Sequence, residues 1–259
     1  MAAARLLSGT LFAGVLVFAG FADAASGSPR SIVGMERVEL VPHSGSSEGR
    51  LVVGATQEIV MLLKTHRVFP TLRADAVAVT SIGASRPVTG SPTVLPVTGR
   101  AIGPDGAEWL RVLIPGRPNG RTGWIARRGT ELTSTPWHIV VTTTTRRVLV
   151  YRRGILAQRF SAIVGKSSTP TPHGKFFVEE SVLMPRGSAG APFALALSAR
   201  SNPLARFEGG RGQIALHGME NLGGTLGTAT SHGCVRLSSR GIRWLAEHIA
   251  PGTPVTITS

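Results

Sequence analysis

Residues Thr230–Ser239 read TSHGCVRLSS and contain Cys234, the only cysteine in 259 residues. His232 stands two residues before it, Gly233 adjoins it, and Arg236 follows two residues later. One cysteine cannot pair within its own chain. It is an intermolecular link, a small buried hydrophobe, or a thiol retained for its reactivity. A reactive thiol must lose its proton, because the thiolate is the nucleophile. A neutral imidazole suits that task, since it titrates near neutrality. Two histidines qualify. His232 shares a side with Cys234 if the segment is extended. His217 lies on the strand-like run Gln213-Ile214-Ala215-Leu216-His217-Gly218. That run can lie beside the cysteine segment once the Gly- and Thr-rich Met219–Thr230 has looped back. Gly218 and Gly233 permit close backbone approach. Amides around Gly233 and Cys234 are candidate donors to a developing oxyanion, and Arg236 can hold a carboxylate.

Outward from this stretch the signal is mostly strand. β-Branched runs at Trp137–Thr142, Arg147–Tyr151 and Pro254–Thr258 are separated by Gly, Pro and Ser clusters, which predicts a mainly β fold. Arg152-Arg153-Gly154 reads as a hairpin turn. Ser239–Ala250 is the clearest helix, with Ile242, Leu245, Ala246 and Ile249 at helical spacing and Pro251-Gly252 as its stop. Upstream, Glu108-Trp109-Leu110-Arg111-Val112 and Gly123-Trp124-Ile125 flank a turn-rich Pro115–Arg121.

The combination carries a family resemblance. His217-Gly218 followed after a spacer by Ser231-His232-Gly233-Cys234-Val235-Arg236-Leu237 resembles the signature of the L,D-transpeptidase (YkuD-type) catalytic domain. Ile139–Ile163 resembles that family's opening hairpins, and Thr169–Phe176 its T-P-T-P-x-G-x-F stretch. The similarity covers Trp137–Ser259. It implies a β-sandwich domain, a cysteine acyl-enzyme and no cofactor. By position Cys234 matches the nucleophile and His217 the general base. The Gly218 carbonyl matches the group that orients the imidazole, while Ser231, His232 and Gly233 belong to the oxyanion and orienting set. Arg236 is a substrate contact. Many members have Asn where Ser239 stands, which puts a structural hydrogen bond in question, and some have Asn in place of Arg236. The two tryptophan strands resemble a bacterial Src-homology-type small barrel.

The implied activity is 3→3 cross-linking of peptidoglycan stem peptides, with hydrolysis by the same site as the alternative, and carbapenems as expected inhibitors. A wall-binding protein with a decayed site is a second reading. A zinc site of His217, His232 and Cys234 is the chemical rival, with His173 as a possible further ligand, but no acidic ligand lies nearby in sequence. The expected metal content is none.

The N-terminus reads as an export signal: Arg5, an apolar Leu6–Phe21, and an A-x-A-like Ala22-Asp23-Ala24. Export implies a cell-envelope location and an oxidising setting in which a free thiol is unusual. The apolar run is short of the ~20 residues that span a bilayer, so contact with membrane is expected through the signal alone. The net charge is +14, and Lys64, Lys166 and Lys175 are the only lysines, so the positive charge is mostly guanidinium. Anionic wall polymers suit this charge. Scattered arginines without a basic helix or stacking aromatics exclude a nucleic-acid partner. A monomer is expected. The divisions read from the sequence are a signal at 1–24, an N-terminal segment and linker at 25–75, a small barrel at 76–134 and the catalytic domain at 137–259. Because every motif residue follows Trp137, the chain up to about Leu132 is expected to be dispensable for the catalytic step.

Overall fold

A computed structural model describes residues 52–201 and 212–259. The expected signal segment, its cleavage site and the polar tract His43–Gly49 lie outside the described residues.

The first half contributes seven short strands: β1 (Gln57–Leu62), β2 (His66–Val68), β3 (Thr80–Ile82), β4 (Val94–Ile102), β5 (Glu108–Leu113), β6 (Thr122–Ala126) and β7 (Thr130–Thr135). Five form an antiparallel sheet in the order β6-β5-β4-β1-β7. The tryptophan strands are neighbours, with Arg111 opposite Trp124. β2 and β3 pair with each other, and a bridge from Phe69 to Trp124 ties them to β6. β1 falls inside the stretch read from sequence as linker. It pairs on both edges, with β4 and with β7, so the sheet begins at Gln57 and not at Ala76. Alternating Ile59, Val60 and Leu62 bury against the sheet core, which is why this short run holds as a strand.

The second half supplies β8 (Trp137–Thr142), β9 (Arg147–Arg152), β10 (Ile155–Ser161), β11 (Val164–Gly165), β12 (Gly174–Leu183), β13 (Phe193–Arg200), β14 (Gln213–His217), β15 (Ala229–Ser231), β16 (Val235–Arg236), α1 (Ser239–His248) and β17 (Pro254–Thr258). Eight of these strands make a mixed sheet in the order β10-β9-β8-β17-β12-β13-β14-β16. β12 is shared by two halves: Gly174–Phe177 pair with β17, and after a register shift the strand continues against β13. The sheet curls at this strand, so Ile139 and Val150 from one end share a core with Leu216 and Val235 from the other. The fold is mainly β, as its strand-rich sequence predicts, and the expected sandwich is one sheet folded on itself.

Local rules explain the joints. Arg153 and Gly154 both have positive φ, 52° and 75°, the conformation that closes a two-residue hairpin between β9 and β10. Helix α1 is capped by Ser238, whose hydroxyl accepts from the Gly241 N–H. Its buried face, Ile242 and Leu245, packs into the main core. Ser239 is the first helical residue, and the cap hydrogen bond belongs to Ser238. Among the described residues no helix is long and apolar enough to cross a membrane.

The two sheets belong to one packed unit. Phe177 of β12 is buried in the N-terminal core beside Val60 and Leu95. Glu179, 1% exposed on the same strand, pairs with Arg86 from the first half and with Arg200 Nη2 at 3.0 Å. Asn119 bonds both backbone groups of Arg200, at 2.8 Å each. The N-terminal sheet therefore completes a surface of the catalytic half. A dispensable N-terminal part is not what this interface supports, because its removal would expose Phe177 and leave Glu179 without one of its two guanidinium partners.

Candidate active site

β14 and β16 run parallel, with Leu216 opposite Val235 and His217 opposite Arg236. Parallel strands need a crossover, and here Met219–Thr230 lies within it. Alternation then sorts the side chains. Ile214, Leu216, Val235 and Leu237 are buried in the core, while Gln213, His217, Cys234 and Arg236 line a pocket of about 400 Å³. The structure thus brings together His217, His232, Cys234 and Arg236 on that one pocket.

His232 reaches it by a different route from the one expected. The strand β15 stops at Ser231 and the chain bends through Gly233 (φ 118°) before β16 begins, so His232 and Cys234 are not alternate residues of one strand. The bend is held from inside. Ser231 is fully buried, and its hydroxyl donates to the Cys234 carbonyl at 2.6 Å while accepting from the Gly233 N–H at 3.1 Å. That second bond corrects the expectation that the Gly233 amide faces an oxyanion: its one proton is committed to Ser231. The T-P-T-P segment braces the same loop. Thr171 Oγ donates to the Gly233 carbonyl at 2.8 Å and accepts from the Gly165 N–H at 2.9 Å, and Thr169 Oγ donates to the Ser231 carbonyl at 3.3 Å.

The imidazole of His217 is oriented by its own neighbour. Nδ1 lies 2.7 Å from the Gly218 carbonyl. A carbonyl only accepts, so Nδ1 carries the proton and Nε2 is left with the lone pair. Burial pushes the His217 pKa below its ordinary value. The Gly218 hydrogen bond opposes this shift, and the Arg236 charge adds to it. The result is a neutral imidazole at pH 7. Cys234 is partly exposed and its Sγ faces the Gln213 carbonyl at 3.9 Å, the long distance of a weak thiol donor. Arg236 Nη1 donates to the Gly223 carbonyl at 2.8 Å, which ties the crossover loop to the site.

Sequence reasoning missed Gly190. A β-carbon there would sit 2.7 Å from His217 Nδ1, so only glycine lets the loop before β13 close over the ring. Nothing in its Ser-Ala-Gly-Ala-Pro setting marks it. Gln213 was read only as part of a strand, yet its side chain joins Glu179 Oε1 at 3.2 Å to the Leu197 carbonyl at 3.0 Å. His173, considered as a metal ligand, bonds Thr143 Oγ1 at 2.9 Å. Among the described residues no three His, Cys, Asp or Glu side chains gather as a metal-binding group.

A curled β fold with a thiol and an oriented imidazole on one pocket defines the class of protein. Residues 136–257 match the family model for the YkuD L,D-transpeptidase catalytic domain, and this part of the chain belongs to that family. The chain is 32% identical over 123 residues to the YkuD protein of Bacillus licheniformis, a span of 48% of this chain and 66% of that protein. It is 27% identical over 146 residues to YkuD of Bacillus subtilis strain 168, covering 56% and 73%. Similar solved structures include an L,D-transpeptidase from Mycobacterium smegmatis (18% identity, 59% of this chain and 90% of that chain, TM-score 0.37). Another is Bd1075 of Bdellovibrio bacteriovorus (25% identity, 48% of each chain, TM-score 0.38).

Proposed function

We propose that this protein is an exported cysteine transpeptidase of the cell envelope that acts, as a monomer, on peptidoglycan stem peptides and forms 3→3 cross-links. The observation that carries the reading is the pairing of Cys234 and His217 on one pocket, with His217 held as an Nδ1–H tautomer by Gly218. In the first half-reaction the Cys234 thiol gives its proton to His217 Nε2 and its sulfur attacks the carbonyl of the third stem residue. The C–N bond to the terminal D-alanine breaks, the imidazolium protonates the departing amine, and a thioester remains. In the second, a side-chain amine of a neighbouring stem attacks the thioester. His217 takes the amine proton and returns it to the sulfur, which leaves as the thiol. One group thus serves as base and acid in turn. His232, exposed at the pocket's edge, borders the reacting carbonyl, and Arg236 faces the substrate carboxylate. The excess of arginine favours an anionic wall.

The test is incubation of the full chain with disaccharide-tetrapeptides followed by mass spectrometry. A dimer lacking one alanine is the expected product. Monomeric tripeptide alone sends the acyl-enzyme to water instead and overturns cross-linking. Unchanged tetrapeptide overturns both.

A further inference from the structure

A second cavity, of about 580 Å³, opens where the N-terminal sheet meets β12 and β13, and it shares no lining residue with the Cys234 pocket. Four guanidiniums line it: Arg86, Arg117 and Arg121 from the first half and Arg200 from the second. One carboxylate, Glu179, lines it with them. That carboxylate is already engaged, since it pairs with Arg86 and its Oε1 accepts from Arg200 and from Gln213. Glu180, close enough to act on Arg86, has its Oε2 bonded by the Thr89 N–H and hydroxyl at 3.1 and 2.9 Å. Counting both carboxylates against four guanidiniums leaves two positive charges in excess.

The protein does not fully satisfy these cations. The Nε atoms of Arg86 and of Arg121 are buried and have no hydrogen-bond partner. A buried charged donor without an acceptor is costly, and two guanidiniums converging on one carboxylate repel each other. Burial, the largest effect, and the nearby Arg200 both push the Arg86 pKa down, while Glu180 opposes them. An anion seated among the four would offset this cost. The cavity volume lies within the ~300–1,000 Å³ of small-molecule sites. Planar guanidinium forks match the oxygens of phosphate and carboxylate groups, and the Ser81, Ser85 and Thr80 hydroxyls on the same wall add neutral donors.

We propose that this cavity is an oxyanion-binding site, distinct from the Cys234 pocket, for a small ligand bearing phosphate or carboxylate groups, gripped by Arg86, Arg117, Arg121 and Arg200. It does not depend on the reaction proposed for Cys234.

The experiment is isothermal titration calorimetry on the full chain at fixed ionic strength, with pyrophosphate as the phosphate probe and citrate as the carboxylate probe. Saturable one-site binding of at least one probe is expected, and the tighter probe identifies the group. Arg121→Gln and Arg117→Gln together should weaken it at least about tenfold, as loss of charge-assisted bonds implies. Arg159→Gln, an exposed change of equal charge on β10, should leave it unchanged, as should Cys234→Ala. If the double variant does not fold, Arg121→Lys is measured instead: it keeps the charge, loses the fork, and should still bind more weakly. Absence of saturation with both probes overturns the site. So does equal weakening by Arg159→Gln, which would reduce the effect to diffuse surface charge.

Discussion

His217 is acted on by three local effects of unequal size and sign. Burial lowers its proton affinity most, the Gly218 carbonyl raises it, and the Arg236 charge lowers it again. If it is the base, acylation of Cys234 by a β-lactam should hold its rate below the ordinary histidine pKa of about 6.5 before falling in acid. Arg236→Gln removes one of the lowering effects, so the acid limb should move to higher pH. Stopped-flow acylation across a pH series measures this, and an unmoved limb would detach Arg236 from the base. Cys234→Ala should abolish the adduct seen by intact mass. His217→Ala should slow its formation by roughly 10²–10⁴-fold, the usual worth of general-base help. The identities of Cys234, His217 and Arg236 were legible in the motif. Gly190 was not, because its constraint is the imidazole of a residue far along the chain.

At the scale of elements, the cysteine bend depends on a strand and a loop that are remote in sequence. Thr171, almost fully buried, closes two backbone groups at once, the Gly165 N–H and the Gly233 carbonyl. Thr171→Val keeps the shape and removes both bonds. Leaving those groups unsatisfied costs about 1–3 kcal/mol each, so the urea midpoint should fall and the Cys234 adduct should form more slowly. Thr171→Ser should restore most of both, and a Val variant equal to wild type in both would remove Thr171 from the brace. The strands β8, β9, β14 and β17 were readable because each is a short apolar β-branched run. The two-residue strands β11 and β16 carry no such pattern. They exist because Ile163 and Arg236 exchange backbone hydrogen bonds at 2.9 Å across the fold.

For the whole molecule, the joint between sheets is the sensitive place. Glu179 holds Arg86, Arg200 and Gln213 together while buried. Glu179→Gln leaves two guanidiniums around a neutral amide, and breaking a buried pair in this way costs about 3–5 kcal/mol. A loss of that order in chemical denaturation is expected, and a change near zero would show that the joint carries little. Stability should also depend on pH through His138. Burial, helped by the Lys175 charge, pushes its pKa down to about 4 in the folded chain. The unfolded chain takes up that proton near 6.5. Proton uptake by the unfolded state alone lowers stability, so stability should fall as pH drops from about 6.5 to about 4 and then lose this dependence. His138→Gln, still able to bond Thr256, should flatten that slope in urea melts taken across the pH range.

By itself the sequence determined the strand-rich class, the helix after the cysteine motif, and the chemical types at the site. Each follows from local rules: β-branched alternation, a serine cap, and a thiol with histidines nearby. Tertiary structure decided which partners those groups meet. It committed the Gly233 amide to Ser231, carried His232 to the pocket around a bend, and set β1 into the N-terminal sheet. It also bound that sheet to the catalytic half through Phe177 and Glu179. These outcomes are not local. They depend on which buried donor finds which acceptor, and on where the curl at β12 brings segments separated by scores of residues into contact.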